Sequence, residues 1–117
     1  YIIKDNVPHT ALKDMPLTSA LLKSVNKLFN FNNVAYRLMT PNSNYTVHED
    51  AHRGWGSYNY HAVVTTNPNC YFVYPKNKSQ QLYSLEEDKI YMCCTNKPHT
   101  FMNAGSTDRI HLVFTDE

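Results

Sequence analysis

The chain has 117 residues, of which 42% are hydrophobic and 18% charged, and its formal net charge is +1. That length supports a single hydrophobic core and hence one domain, residues 1–117, and the composition excludes a disordered chain. A charge so near zero removes the electrostatic case for nucleic acid or an anionic membrane as partner, and no apolar run approaches the ~20 residues that span a bilayer.

The first residues, Tyr1-Ile2-Ile3-Lys4-Asp5-Asn6, lack a basic segment followed by an apolar one. The sequence therefore predicts no signal peptide. Three cysteines, Cys70, Cys93 and Cys94, are an odd set without a C-x-x-C pair. They fit a reducing, cytoplasmic setting, where they serve as small buried hydrophobes; a redox role for the adjacent pair is the lesser alternative. A structural zinc site is disfavoured.

In chain order, Leu17, Leu21, Val25 and Leu28 fall on one stripe of an amphipathic helix over 17–29. Asp14 is placed to cap it and Pro16 suits its first turn. The stripe is expected to pack on the outside of a sheet. After Asn30 the pattern turns to short β-rich segments near 33–40, 44–50, 57–66, 69–75, 80–84, 88–94, 98–103 and 108–115. Breaks fall at Pro41-Asn42-Ser43-Asn44, Asn67-Pro68-Asn69, Pro75-Lys76-Asn77, Asn96-Lys97-Pro98 and Ala104-Gly105-Ser106. Eight short strands at this spacing, a β-core of about 33–115, predict a mainly β sandwich or barrel, with the jelly roll as the natural eight-stranded form.

One constellation carries chemistry. His48 and Asp50 stand two positions apart, on one face of an extended strand. His99 offers a second imidazole, and Arg109 follows ten residues later. Two histidines and one carboxylate leave open positions on a metal, as in the facial triad of non-haem Fe(II) sites. A guanidinium nearby suits an acidic co-substrate. His52 rivals His48 as ligand, but Gly54 occupies its own i+2 position. On the last strand Arg109, His111 and Val113 share a face; on the 57–66 strand Asn59, His61 and Val63 do. His111 either lines the pocket or is a hydrogen-bonded structural histidine. Trp55 reads first as a packing aromatic and second as a substrate contact. Arg37 and Arg53 either meet an acidic substrate or solvate the surface.

The stretch from Lys97 to Phe114 places His99 before Asn103, the small-residue turn Ala104-Gly105-Ser106, and Arg109 on a strand ending Leu112-Val113-Phe114. This resembles the C-terminal signature of the aspartyl/asparaginyl β-hydroxylase-like group of 2-oxoglutarate-dependent oxygenases. The segment Tyr58 to Asn67, with His61, Ala62-Val63-Val64 and Thr66-Asn67, is similar to that group's histidine strand. The likeness runs from about residue 33 to the end of the chain. It implies a cupin-like double-stranded β-helix, iron held by His48, Asp50 and His99, and Arg109 paired with the distal carboxylate of 2-oxoglutarate. It further implies that His61 contacts the co-substrate, with Asn59, Asn103, His111 and Trp55 as candidate pocket residues.

The activity implied is an Fe(II)- and 2-oxoglutarate-dependent dioxygenase that uses molecular oxygen to hydroxylate an unactivated carbon of a small molecule or peptide side chain. Halogenating relatives carry a small residue in place of the carboxylate, so Asp50 favours hydroxylation. Asn59 departs from the pattern, standing where many members have a basic residue two positions before the strand histidine. The alternatives are a cupin-type metalloenzyme that does not use 2-oxoglutarate, and a jelly-roll binding module without metal chemistry.

Overall fold

A computed structural model describes residues 1, 3–4, 7–26, 31–49, 58–75 and 80–115. The chain opens with two short strands, β1 (Ile3–Lys4) and β2 (Val7–Pro8), that the sequence pattern did not predict. A 3-10 turn at Thr10–Asp14 follows, and His9 caps it by accepting a hydrogen bond from the Ala11 N–H at 3.0 Å. Helix α1 spans Pro16–Asn26. The expected cap is corrected by this turn: Asp14 is its last residue, and Met15 occupies the cap, its carbonyl accepting from the Ser19 N–H at 2.9 Å. Pro16 stands at the first helical position, where its missing N–H has no helical partner to lose.

The expected apolar stripe also shifts. Leu17 is 87% exposed, whereas Thr18, Leu22 and Val25 are buried and Leu21 half-buried. The i, i+3, i+4, i+7 set that packs therefore begins at Thr18, whose hydroxyl hydrogen-bonds the Tyr36 phenol. Leu28 lies outside the described residues.

The remaining strands are β3 (Asn33–Met39), β4 (Ser43–Asn44), β5 (Tyr58–Thr65), β6 (Cys70–Tyr74), β7 (Gln81–Tyr83), β8 (Ile90–Cys94), β9 (Thr100–Asn103) and β10 (Arg109–Thr115). Seven of the eight predicted segments contain one; the exception is 44–50, which shares only Asn44 with β4 and otherwise contributes an isolated bridge from His48 to His99. Two antiparallel sheets result, a large one in the order β2-β1-β3-β10-β5-β8 and a small one in the order β4-β9-β6-β7. The turns use residues that tolerate a left-handed backbone: Asn42, with φ 56°, lies between β3 and β4, and Asp88, with φ 62°, precedes β8.

The central part of the large sheet is covered on both faces. Val34, Ala62, Leu112 and Phe114 pack against Leu22 and Val25 of α1, so the helix covers the outside of the sheet as expected. Burying side chains of this kind contributes about 1.5–3 kcal/mol each. Between the sheets, Met39, Phe72, Tyr74, Cys93 and Phe101 form a second cluster. Cys70 and Cys93 are buried, and all three cysteines are free thiols. Burial pushes the Cys93 thiol up to about 12, so it stays protonated and packs as an apolar group. Among the described residues no helix is long and apolar enough to cross a membrane.

The β9–β10 connection is held by a side-chain lattice. Asn103 accepts from the Gly105 N–H at 3.0 Å and from the Asn67 amide at 3.1 Å, and it donates to the Met39 carbonyl at 3.0 Å. Asn67 also donates to the Thr107 carbonyl at 3.0 Å and accepts from the Asn69 N–H at 2.9 Å. A Cβ on Gly105 would stand 2.2 Å from the Asn67 Oδ1. Because hydrogen bonds pin Asn67 on several sides, it has nowhere to retreat. Gly105→Ala is expected to destabilise the fold by about 1–3 kcal/mol, read as a lowered urea midpoint. A midpoint equal to that of the parent would show that Asn67 repacks freely.

Candidate active site

A cleft of about 530 Å³ opens between the sheets, and His48, Asn59, His61, His99 and Arg109 all line it. Its size suits a small ligand. His48 and His99 exchange both backbone N–H···O bonds, at 3.1 and 3.0 Å. Directly opposed residues of an antiparallel pair present their side chains on the same face, and the two rings lie with centroids 4.5 Å apart. His48 is exposed at the mouth, whereas His99 is buried.

The ring chemistry is set by backbone carbonyls. The His48 Nδ1 lies 2.7 Å from the Thr46 carbonyl, and the His99 Nδ1 lies 2.9 Å from the Lys97 carbonyl. A carbonyl oxygen only accepts, so each Nδ1 carries a proton, and Nε2 is the ring atom that could ligate a metal. This is the arrangement that orients metal-binding histidines. Two such rings on one face fit a metal ion. Among the described residues no cluster of three His, Cys, Asp or Glu groups is placed to hold one. Asp50, the expected third ligand, lies outside the described residues, as do the rival His52, Arg53 and Trp55.

Arg109 lies at the floor, only 2% exposed. It opens β10 next to a β-bulge, where the pairing with β5 slips between Ile110 and His111. Its Nη1 donates to the His111 Nδ1 at 3.3 Å, its Nη2 donates to the Arg37 carbonyl at 3.4 Å, and its guanidinium lies 5.2 Å over the Phe101 ring. The Tyr45 phenol also hydrogen-bonds it. All of these partners are uncharged, and its Nε is buried without a hydrogen-bond partner. Burial lowers the Arg109 pKa from its usual value. A buried cation with an unsatisfied donor is costly unless an anion meets it.

Behind this floor His61 and His111 face each other, with Nδ1 atoms 3.1 Å apart. His61 stacks on Phe101 at 4.9 Å. His61 lines the cleft and His111 does not. Asn103, a candidate pocket residue in the sequence, is instead consumed by the β9–β10 turn, where its amide bonds leave it 0% exposed. The sequence reading left Tyr45 and Thr95 unnoticed, although both line the cleft. A lone Tyr or Thr carries no spacing signal of its own.

Burial, and then the Arg109 cation, lower the pKa of His61 to about 3; the same causes in the same order take His111 to about 2. Both rings are neutral when folded, whereas each titrates near 6.5 when unfolded. The unfolded chain therefore binds more protons below pH 6.5, so this contribution is complete above 6.5 and is lost as pH falls from there toward 3. At pH 5 the loss is about 2 kcal/mol for each ring. Urea denaturation of the metal-free protein at pH 7 and pH 5 should show it, and His61→Phe/His111→Phe should flatten the difference. A parent midpoint that does not move over this range would contradict the assignment.

A family model described as aspartyl/asparaginyl beta-hydroxylase matches residues 2–116. No curated protein matches the chain in sequence. The match covers nearly the whole molecule, including both sheets, the opposed histidines and the buried arginine, and the chain belongs to the aspartyl/asparaginyl beta-hydroxylase family.

Proposed function

We propose that this hydroxylase-family chain is an Fe(II)- and 2-oxoglutarate-dependent oxygenase that hydroxylates an unactivated carbon of a small molecule or peptide side chain. The observation that carries the reading is Arg109: a buried guanidinium with an unpartnered Nε, and with no carboxylate paired to it among the described residues, at the floor of the cleft that holds His48 and His99. A planar fork of donors suits a carboxylate, and the co-substrate supplies one. The strand order supports the matching fold. With β1 and β2 set aside, the sheets run β3-β10-β5-β8 and β4-β9-β6-β7, the interleaving expected of a double-stranded β-helix built from two Greek keys.

His48 and His99 would hold the iron through Nε2, with Asp50 as the anionic third ligand. Iron bound there would supply oxygen activation coupled to oxidative decarboxylation of the co-substrate. The chain's own residues do the rest. The Thr46 and Lys97 carbonyls keep both imidazoles in the ligating tautomer. Arg109 neutralises and orients the co-substrate's distal carboxylate, and Phe101 and the sheet walls keep water from that pair. The retained Asp50 favours hydroxylation over halogenation.

Anaerobic calorimetry with Mn(II) and then 2-oxoglutarate tests the reading. Arg109→Ala should weaken 2-oxoglutarate binding on the order of 10–100-fold, since charge-assisted hydrogen bonds contribute about 1.5–3 kcal/mol each. Arg109→Lys should recover only part of the loss, and neither variant should change metal affinity. His99→Ala should abolish metal binding at micromolar metal, whereas His52→Ala should leave it nearly intact. If the parent bound metal but no 2-oxoglutarate, the cupin-type alternative would replace this reading. If it bound neither, the binding module would.

A second check concerns Asp50. Asp50→Gly should weaken metal binding and suppress turnover, because it removes the anionic ligand. Full hydroxylation by that variant, or halogenation by the parent, would contradict its proposed role.

A further inference from the structure

Helix α1 covers only part of the sheet face on which it lies. Cross-strand register puts Tyr36, Leu112, Ala62 and Ile90 in one row on that face of the large sheet, and Leu38 and Ile110 in the next. Leu22 and Val25 of the helix pack on Leu112 and Ala62, in the middle of the first row. The ends of that row and the row beyond it stay open: Leu38 is 55% exposed, and Tyr36, Val64 and Ile90 lie between 37% and 43%. Met92 continues the patch along β8 at 56%, and Leu17 stands over it from the first turn of α1.

A groove of about 380 Å³ separates the helix from this strip, and Leu17, Leu21, Tyr36, Val64 and Ile90 are among its walls. Leu17 is therefore a projection on the rim of the groove itself. Asp88 and Lys89 are the only charged residues that line it, and their charges cancel. An acidic or a basic partner would find no complementary charge here. A second copy of the chain needs none, and it brings the same apolar surface with it. A two-fold interface has to match itself, so it requires a projection and a recess on one and the same patch. This face has both.

We propose that the uncovered part of this face is the contact between two copies of the chain, related by a two-fold axis, with Leu17 of each copy seated in the groove of the other. At the exposures given, the six side chains Leu17, Tyr36, Leu38, Val64, Ile90 and Met92 present on the order of 600 Å². Two such faces together reach the roughly 1,200 Å² at which specific interfaces begin. Depletion of charge at the centre is the pattern of an interface core. Arg109 and His111 face the opposite side of the sheet, so the cleft stays open in the dimer, and neither metal nor 2-oxoglutarate takes part in forming it.

Sedimentation equilibrium of the whole chain tests this. At about 100 µM, where an association of micromolar Kd is largely complete, the expected mass is twice that of the chain. Leu17→Lys and Leu38→Lys each set an unpaired cation in the contact while replacing a side chain that the monomer leaves exposed. Each should weaken the dimer about tenfold or more. Leu82→Lys, on the exposed strand β7 of the small sheet, should leave it unchanged. In a mixture of isotope-labelled and unlabelled chains, filtered NOEs should join the Leu17 methyls of one copy to the Tyr36 and Ile90 side chains of the other. A parent that is monomeric at this concentration overturns the proposal. So does a dimer that survives either Leu17→Lys or Leu38→Lys, because it forms through another face. If a Lys variant fails to fold, the NOE pattern of the parent decides.

Discussion

The constraint on which the site depends is a guanidinium buried between two sheets with no anion paired to it among the described residues. Arg109 is surrounded by a backbone carbonyl, a neutral imidazole, an aromatic face and a phenol. Each softens the desolvation of the cation, and none cancels its charge. The cost falls on the neighbours. Nearby positive charge contributes, after burial, to keeping His61 and His111 neutral. Neutrality in turn is what allows the hydrogen bonds among the three to have a defined direction.

That floor can be polar because the opposite face of the same sheet is not. β10 is central in the large sheet, paired with β3 and β5. Its Leu112 and Phe114 side chains face α1 while Arg109 and His111 face the interior between the sheets. The helix covers the centre of one face and supplies stability there, which lets the other face carry groups that cost stability. The opposed histidine pair sits differently. His48 is on a chain segment that joins the small sheet through a single bridge, so it is exposed, while its partner His99 is buried. The proposed ligands are thus near the mouth and the proposed anchor is at the floor.

Most of this was legible in the sequence because strands and turns announce themselves by alternation and by Asn, Pro and Gly. The 17–29 helix was legible too, but its packing face was not. Leu17 satisfies the period, yet the turn through Met15 rotates it to solvent and gives its place to Thr18. β1 and β2 are two residues each, too short to carry a periodic signal. At the site, residue chemistry and order along the chain singled out His48, His99 and Arg109, and the family likeness added His61; the structure lines one cleft with all four. The fate of Asn103 did not show, since a buried amide that ties a turn and one that lines a pocket have the same sequence. Nor did the His61–His111 contact, which joins residues 50 positions apart through a bulge that no local pattern records.

The turn and the site are linked by covalent geometry. His99 immediately precedes β9 and Arg109 begins β10, so the distance between the proposed metal ligand and the proposed anchor is set by the five-residue connection 104–108. Asn67 and Asn103 hold that connection from both sides, and Asn103 also grips the Met39 carbonyl on β3, the strand that pairs with β10. On the proposed reading, a co-substrate that touches the metal with one end and Arg109 with the other would read that distance directly. The buried amide lattice therefore works as a spacer for the site. Damage to it should disturb co-substrate binding and fold stability together, whereas loss of the Arg109 fork removes binding alone, and the pattern across the two measurements separates a misplaced anchor from a missing one.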